Sequence, residues 1–197
     1  VAVSDLGRDD FELLEDNAPQ TITAFEHVVV RGGMPQETRR EPNTVAESRA
    51  MLENSRARAF AIFLDTKHVS VEGSYNIRQP LINALNRLIG PDDLVGVMMP
   101  GMSASDVTFA RRTTTIEGML TRYWTWGERG QVDRTRDPQE EAYQRCYPGR
   151  EGPCGDDRGI ADQMIARYRE KLTIDSLGDL IDYLETAREE RKALLVI

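Results

Sequence analysis

The sequence predicts an α/β domain: an open, mostly parallel sheet flanked by helices, with a short β segment in front of it. Three observations carry this. AFAIFL (59–64) and LVGVMM (94–99) are continuous apolar runs, the pattern of strands buried on both faces. Between them, Ile77, Leu81, Ile82, Leu85, Leu88 and Ile89 make one helical stripe. ALLVI (193–197) closes the chain as a further buried strand.

Residues 1–31 form the leading β segment. DFELLE alternates, Asp16-Asn17-Ala18-Pro19 has turn chemistry, and QTITAFEHVVV alternates again with Ile22, Ala24 and Val28 on one face. Such a hairpin is too short to fold alone. Residues 32–42, rich in Gly, Pro and Arg, read as a linker. The main domain, 43–197, opens with a short helix around TVAESRAMLENS. In the stripe helix Pro80 is tolerable near the first turn, and Gly90-Pro91 is the stop. DVTFA (106–110) reads as a short strand, and IEGMLTRYW as part of a helix. The core pattern then lapses over 127–157, an insertion long enough to be functional. Periodicity returns in one helix at Ile160, Met164, Ile165, Tyr168 and Leu172. It resumes in a second at Leu177, Leu180, Ile181 and Leu184.

Net charge is −8 over 197 residues, and the arginine-rich stretches are short and interleaved with acids. A basic footprint for nucleic acid is therefore missing. No apolar run reaches the ~20 residues needed to span a bilayer, so an integral membrane protein is not expected. Both ends read as cut or processed. Cys146 and Cys154 close the loop CYPGREGPC, a spacing that favours one disulfide over two free thiols. A disulfide would place the protein in an oxidising compartment, secreted or periplasmic.

Ligands of open parallel sheets bind beyond the carboxyl ends of the strands, so the residues after AFAIFL are the first place to look. RARAFAIFLDTKHVSVEGSYNIRQPLINALNRLIGPDDLVGVMMP resembles the opening of a von Willebrand factor A domain, a Rossmann-like fold. DLGRDDFELLEDNAPQTITAFE resembles the segment before that domain in a bacterial branch common in acidobacteria, and RKALLVI resembles the family's fourth strand. The resemblance spans nearly the whole chain except 127–157, and it implies further strands beyond ALLVI.

The resemblance also implies a metal-ion-dependent adhesion site. In the family an Asp-x-Ser-x-Ser loop, a Thr from a second loop and an Asp from a third hold Mg²⁺ through oxygen ligands. Asp65 matches the first position. Lys67 and Val69 stand where the two serines would be, Ser70 is one residue out of register, and Thr173 is the candidate second-loop ligand, with Thr113 to Thr115 as the alternative. The third-loop Asp would follow ALLVI. The site reads as degenerate, with Mg²⁺ doubtful and Lys67 expected to pair with Asp65 in its place. The plain alternative for Asp65 is a helix cap. The implied function is non-catalytic recognition of a protein or peptide, with no enzyme activity. A structural subunit of an extracellular, self-assembling particle is one alternative.

A haloacid dehalogenase-like phosphotransferase with Asp65 as nucleophile is another. That chemistry wants a second Asp at position 67, where Lys67 stands. His68 and Glu72 are spaced four apart but lack the second His of a metalloprotease helix. His27 has no evident nucleophile beside it, and no Gly-rich phosphate loop or nucleophile elbow is present. Lys67, His68, Tyr123, Trp124 and Trp126 form the expected binding rim, the aromatics competing with a plain core role.

Overall fold

A computed structural model describes residues 3, 5–27, 41–54, 57–90, 92–111, 118, 127, 137–148, 151–152, 155–156, 159–187 and 191–197. The chain divides into two compact units, Val1–Arg31 and Gly32–Ile197.

In the first unit a 3-10 turn, Arg8–Asp10, precedes β1 (Leu13–Glu15), which pairs antiparallel with β2 (Ala18–Gln20). Asp16 and Asn17 both have positive φ, 50° and 63°. Two-residue hairpin turns favour that conformation because it matches the strand twist. β2 falls mostly on residues expected in the turn, Ala18 and Pro19, while 21–27 of the expected second strand are irregular and Val28 lies outside the described residues. Pro19 sits opposite Leu14 and has no N–H for a ladder, so the pairing has little to extend from. The Phe11 and Phe25 rings lie 5.4 Å apart.

The second unit is a mixed α/β structure around a parallel three-stranded sheet. α1 (Val45–Leu52) starts at Thr44, whose hydroxyl accepts the Glu47 amide. β3 (Ala59–Phe63) pairs parallel with β4 (Leu94–Met98) on one side and with β7 (Lys192–Val196) on the other. The alternation of β3 sends Ala59, Ala61 and Phe63 to one face, against Leu52 of α1 and Leu180 and Leu184 of a long C-terminal helix. Ile62 and Leu64 go to the other, against Leu81, Ile82 and Leu85 of α2 (Val71–Leu88). Each of the leucine, isoleucine and phenylalanine side chains contributes about 1.5–3 kcal/mol on burial.

Several expectations need correction. α2 begins six residues before Ile77 and runs through Pro80, which lies well past its first turn. Pro80 and Asn76 are both on the exposed side, where water can serve the carbonyl that proline leaves unbonded. Ile77 and Leu88 of the proposed stripe are exposed. DVTFA is not a strand: a 3-10 turn, Ala104–Asp106, leads into a single antiparallel bridge between Ala110 and Val95. Gly96 permits this, since a Cβ there would stand 2.8 Å from Val107 Cγ1. The 127–157 stretch is not featureless. It contains α3 (Pro138–Cys146) and a two-residue hairpin pair, β5 (Glu151–Gly152) and β6 (Gly155–Asp156). The two C-terminal helices are one, the 28-residue α4 (Ile160–Ala187). β7 is an exposed edge strand rather than a buried one. Leu195 and Val196 face solvent, and only Leu194 among its five residues packs on the core.

β3 is thus central, and the chain visits β4 on one side before reaching β7 on the other. At such a reversal the connections leave the sheet in opposite directions, opening a crevice at the carboxyl ends of the strands.

Candidate functional site: the loop after the central strand

The loop that leaves β3 is fixed by its own backbone. Asp65 donates its amide to the Ile197 carbonyl at 2.7 Å, and Val69 donates back to the Asp65 carbonyl at 3.3 Å. The Asp65 side chain accepts the Lys67 amide at 3.2 Å, closing an Asx turn over 65–67. Ser70 then caps α2, its hydroxyl accepting the Gly73 amide at 3.0 Å. Gly127 lies against this loop with φ +106°. A Cβ there would be 2.9 Å from the Ser70 carbonyl oxygen, so only glycine fits without displacing backbone.

Two side chains close on Asp65. His68 Nδ1 lies 2.8 Å from one carboxylate oxygen and 3.0 Å from the other, and Thr173 Oγ1 donates at 3.3 Å. A carboxylate only accepts, so the ring presents Nδ1–H to it and leaves Nε2 outward. The Asp65 side chain is 18% exposed and that of His68 42%.

The neighbouring charges come from α3 and α4. Glu140 is buried and takes Arg169 Nε and Nη2 in a bidentate pair, both at 2.7 Å. Lys67 Nζ approaches Glu140 Oε1 at 3.9 Å. Asp137 caps α3 through the Gln139 and Glu140 amides and accepts the Tyr168 hydroxyl at 3.2 Å. Burial, then the charges of Asp137 and Glu140, push the Tyr168 phenol above its ordinary value of 10.0. One turn along α4 from Thr173, Ser176 accepts the Gly101 amide of the loop after β4 at 3.0 Å.

These contacts explain why α4 reads as two helices in sequence. Ile165, Arg169, Thr173, Ser176, Leu180 and Leu184 follow one stripe at spacings of three and four. Its apolar ends pack while its polar middle crosses the carboxyl edge of the sheet. The lapse in hydrophobic periodicity is the site.

The structure therefore brings Asp65, His68, Thr173 and, one step further, Lys67 together, and it separates others. Lys67 does not pair with Asp65 through its ammonium. The Lys67 chain turns to Glu140, and His68 takes the carboxylate instead. The Ser70 hydroxyl is committed to the helix cap, and His68 lies in the turn before α2, apart from the helical face of Glu72. Cys146, at the exposed end of α3, is a free thiol among the described residues, and its expected disulfide partner Cys154 lies outside them. Tyr123, Trp124, Trp126 and Thr113 to Thr115 also lie outside the described residues. His27 is exposed in the first unit. Sequence reasoning missed Asp137, Glu140, Arg169 and Ser176. The signal for α3 was present in Asp137-Pro138 followed by Glu140 and Glu141: a cap, a proline at the first helical position and acids in the first turn.

The donor set does not suit a hard cation. Asp65 and Thr173 supply oxygens, but a ring N–H faces both Asp65 oxygens and Ser70 is engaged elsewhere. Among the described residues no group of three or more His, Cys, Asp or Glu is arranged to hold a metal. No described helix is long and apolar enough to cross a membrane. Comparison with known proteins returns no match, whether to a family model, a curated protein or a solved structure.

Proposed function

We propose that the second unit is a non-catalytic recognition domain of the von Willebrand factor A type, whose Asp65 loop meets a protein or peptide partner without a metal. The observation that carries this is the closure of the Asp65 carboxylate by groups of its own chain: His68, Thr173 and the Lys67 amide. A loop held this way needs no ion to order it, and it sits at the strand-order reversal, where open sheets bind ligands. The same closure argues against Asp65 as a phosphoryl-accepting nucleophile, which needs a free oxygen and an acid beside it. The family assignment rests on the AFAIFLDT and DLVGVMM strings together with the parallel sheet.

Titration calorimetry with Mg²⁺ and Mn²⁺, on the parent chain and Asp65→Ala, tests the reading. It expects no saturable binding in either, and no turnover of p-nitrophenyl phosphate with Mg²⁺ present. Saturable Mg²⁺ binding lost in Asp65→Ala would overturn the metal-independent reading, and turnover lost in Asp65→Asn would replace it with the phosphotransferase.

A further inference from the structure

From the hydrogen-bond balance around the loop, we infer that the Lys67 ammonium is the seat of an oxyanion, a carboxylate or phosphoryl group of a ligand. The neighbouring charged groups are otherwise occupied. Asp65 accepts from His68, Thr173 and the Lys67 amide. Glu140 takes two hydrogen bonds from Arg169, and Asp137 accepts from Tyr168 and two backbone amides. Among the described residues, Lys67 Nζ has one polar neighbour, Glu140 Oε1 at 3.9 Å, beyond hydrogen-bonding distance. Three N–H donors are thus held on a side chain only 18% exposed, paired at ion-pair distance with Glu140 but with no acceptor at hydrogen-bonding distance among the described residues.

Chemistry and position agree. An ammonium carries donors and no acceptor, so its complement is an oxygen acceptor. A charged oxygen gives a bond about twice as strong as a neutral one. The Asp65 carboxylate, which would compete for the ammonium, is already engaged by His68. Lys67 also belongs to the loop at the carboxyl end of the central strand, where the sheet order reverses. The inference shares its loop with the recognition reading but does not depend on it, since Lys67 and Asp65 turn to different partners.

The test is titration of the full chain with sodium acetate and, separately, inorganic phosphate at constant ionic strength. It follows the ¹³Cε–¹H signal of Lys67 and the His68 ring signals by NMR. The expected result is a saturable shift with at least one of the two anions, weakened about tenfold or more in Lys67→Met and recovered in Lys67→Arg. Saturation by phosphate alone assigns a phosphoryl ligand, and saturation by acetate assigns a carboxylate. A linear drift with both anions, or a saturable shift unchanged in Lys67→Met, overturns the proposal. If Lys67→Met does not fold, as judged by its amide spectrum, Lys67→Gln takes its place. Failure here leaves the Mg²⁺ experiment untouched, so this inference and the recognition reading fall separately.

Discussion

The two ends of the sheet are each organised around one aspartate, and the two are finished differently. At the amino end Asp93, with a side chain 5% exposed, accepts Arg58 Nε at 3.0 Å and Nη2 at 2.5 Å, the Arg58 amide at 3.3 Å and the Gly90 amide at 2.6 Å. Arg58 Nη2 also donates to the Leu88 carbonyl at 2.8 Å, and its guanidinium lies over the Phe60 ring. That end is a closed clasp joining the start of β3 to the end of α2 and the start of β4. At the carboxyl end Asp65 is held by a half-exposed histidine and a threonine, and the lysine beside it has only the long ion pair to Glu140 at 3.9 Å among the described residues. The difference separates roles. Fully satisfied and buried charge fixes a fold, while partly exposed charge with spare donors remains available to a ligand.

The comparison breaks most visibly at the clasp. Arg58→Ala leaves a buried carboxylate without its main partner, and the expected loss is about 3–5 kcal/mol in urea unfolding followed by circular dichroism. A loss under about 1 kcal/mol would show that the clasp is not the stabilising end.

Next in size is Gly127→Ala. It forces a positive-φ residue against the Ser70 carbonyl, for about 1–3 kcal/mol. It should also shift the His68 ring signals, because the loop must move. Unchanged signals with lost stability would detach Gly127 from the site.

The smallest effect is a pH dependence at the clasp. Burial alone would raise the Asp93 carboxyl, but hydrogen bonds from Arg58 and the Gly90 amide, with the guanidinium charge, hold it below its ordinary value of 3.8. A depressed folded value means stability that is present above the unfolded value and lost as pH falls through the folded one. The stability gap between the parent and Asp93→Asn should therefore be widest near neutrality and close progressively below about pH 4. A gap that stays constant down to pH 2 would contradict the assigned charge.

Much of this architecture is legible in the chain because periodicity reports burial. AFAIF and LVGVM are continuous apolar runs because helices cover both their faces. KALLV looks the same yet is an exposed edge, since composition cannot tell an inner strand from one with a single hydrogen-bonded neighbour. The loop at Asp65 was locatable from the strand that precedes it. Its partners were not, because Glu140 meets Lys67 across 73 positions of sequence, and is itself held by Arg169, only through the packing of α3 on α4. Lys67 was expected to face the nearest carboxylate, and the Asx turn rotates its side chain away from Asp65 while bringing His68 in. Thr173 was named and is in contact with Asp65, although it projects from the middle of a helix rather than from a loop.

The division of labour between the two ends is most directly tested by measuring Asp93→Ala and Asp65→Ala side by side, as unfolding free energies at neutral pH. Asp93→Ala is expected to lose about 3 kcal/mol or more. Asp65→Ala should lose about 1 kcal/mol, the cost of a few part-exposed hydrogen bonds. Equal losses, or a larger loss at Asp65, would mean that the carboxyl-end loop is itself a structural clasp and that the two ends do not divide these roles.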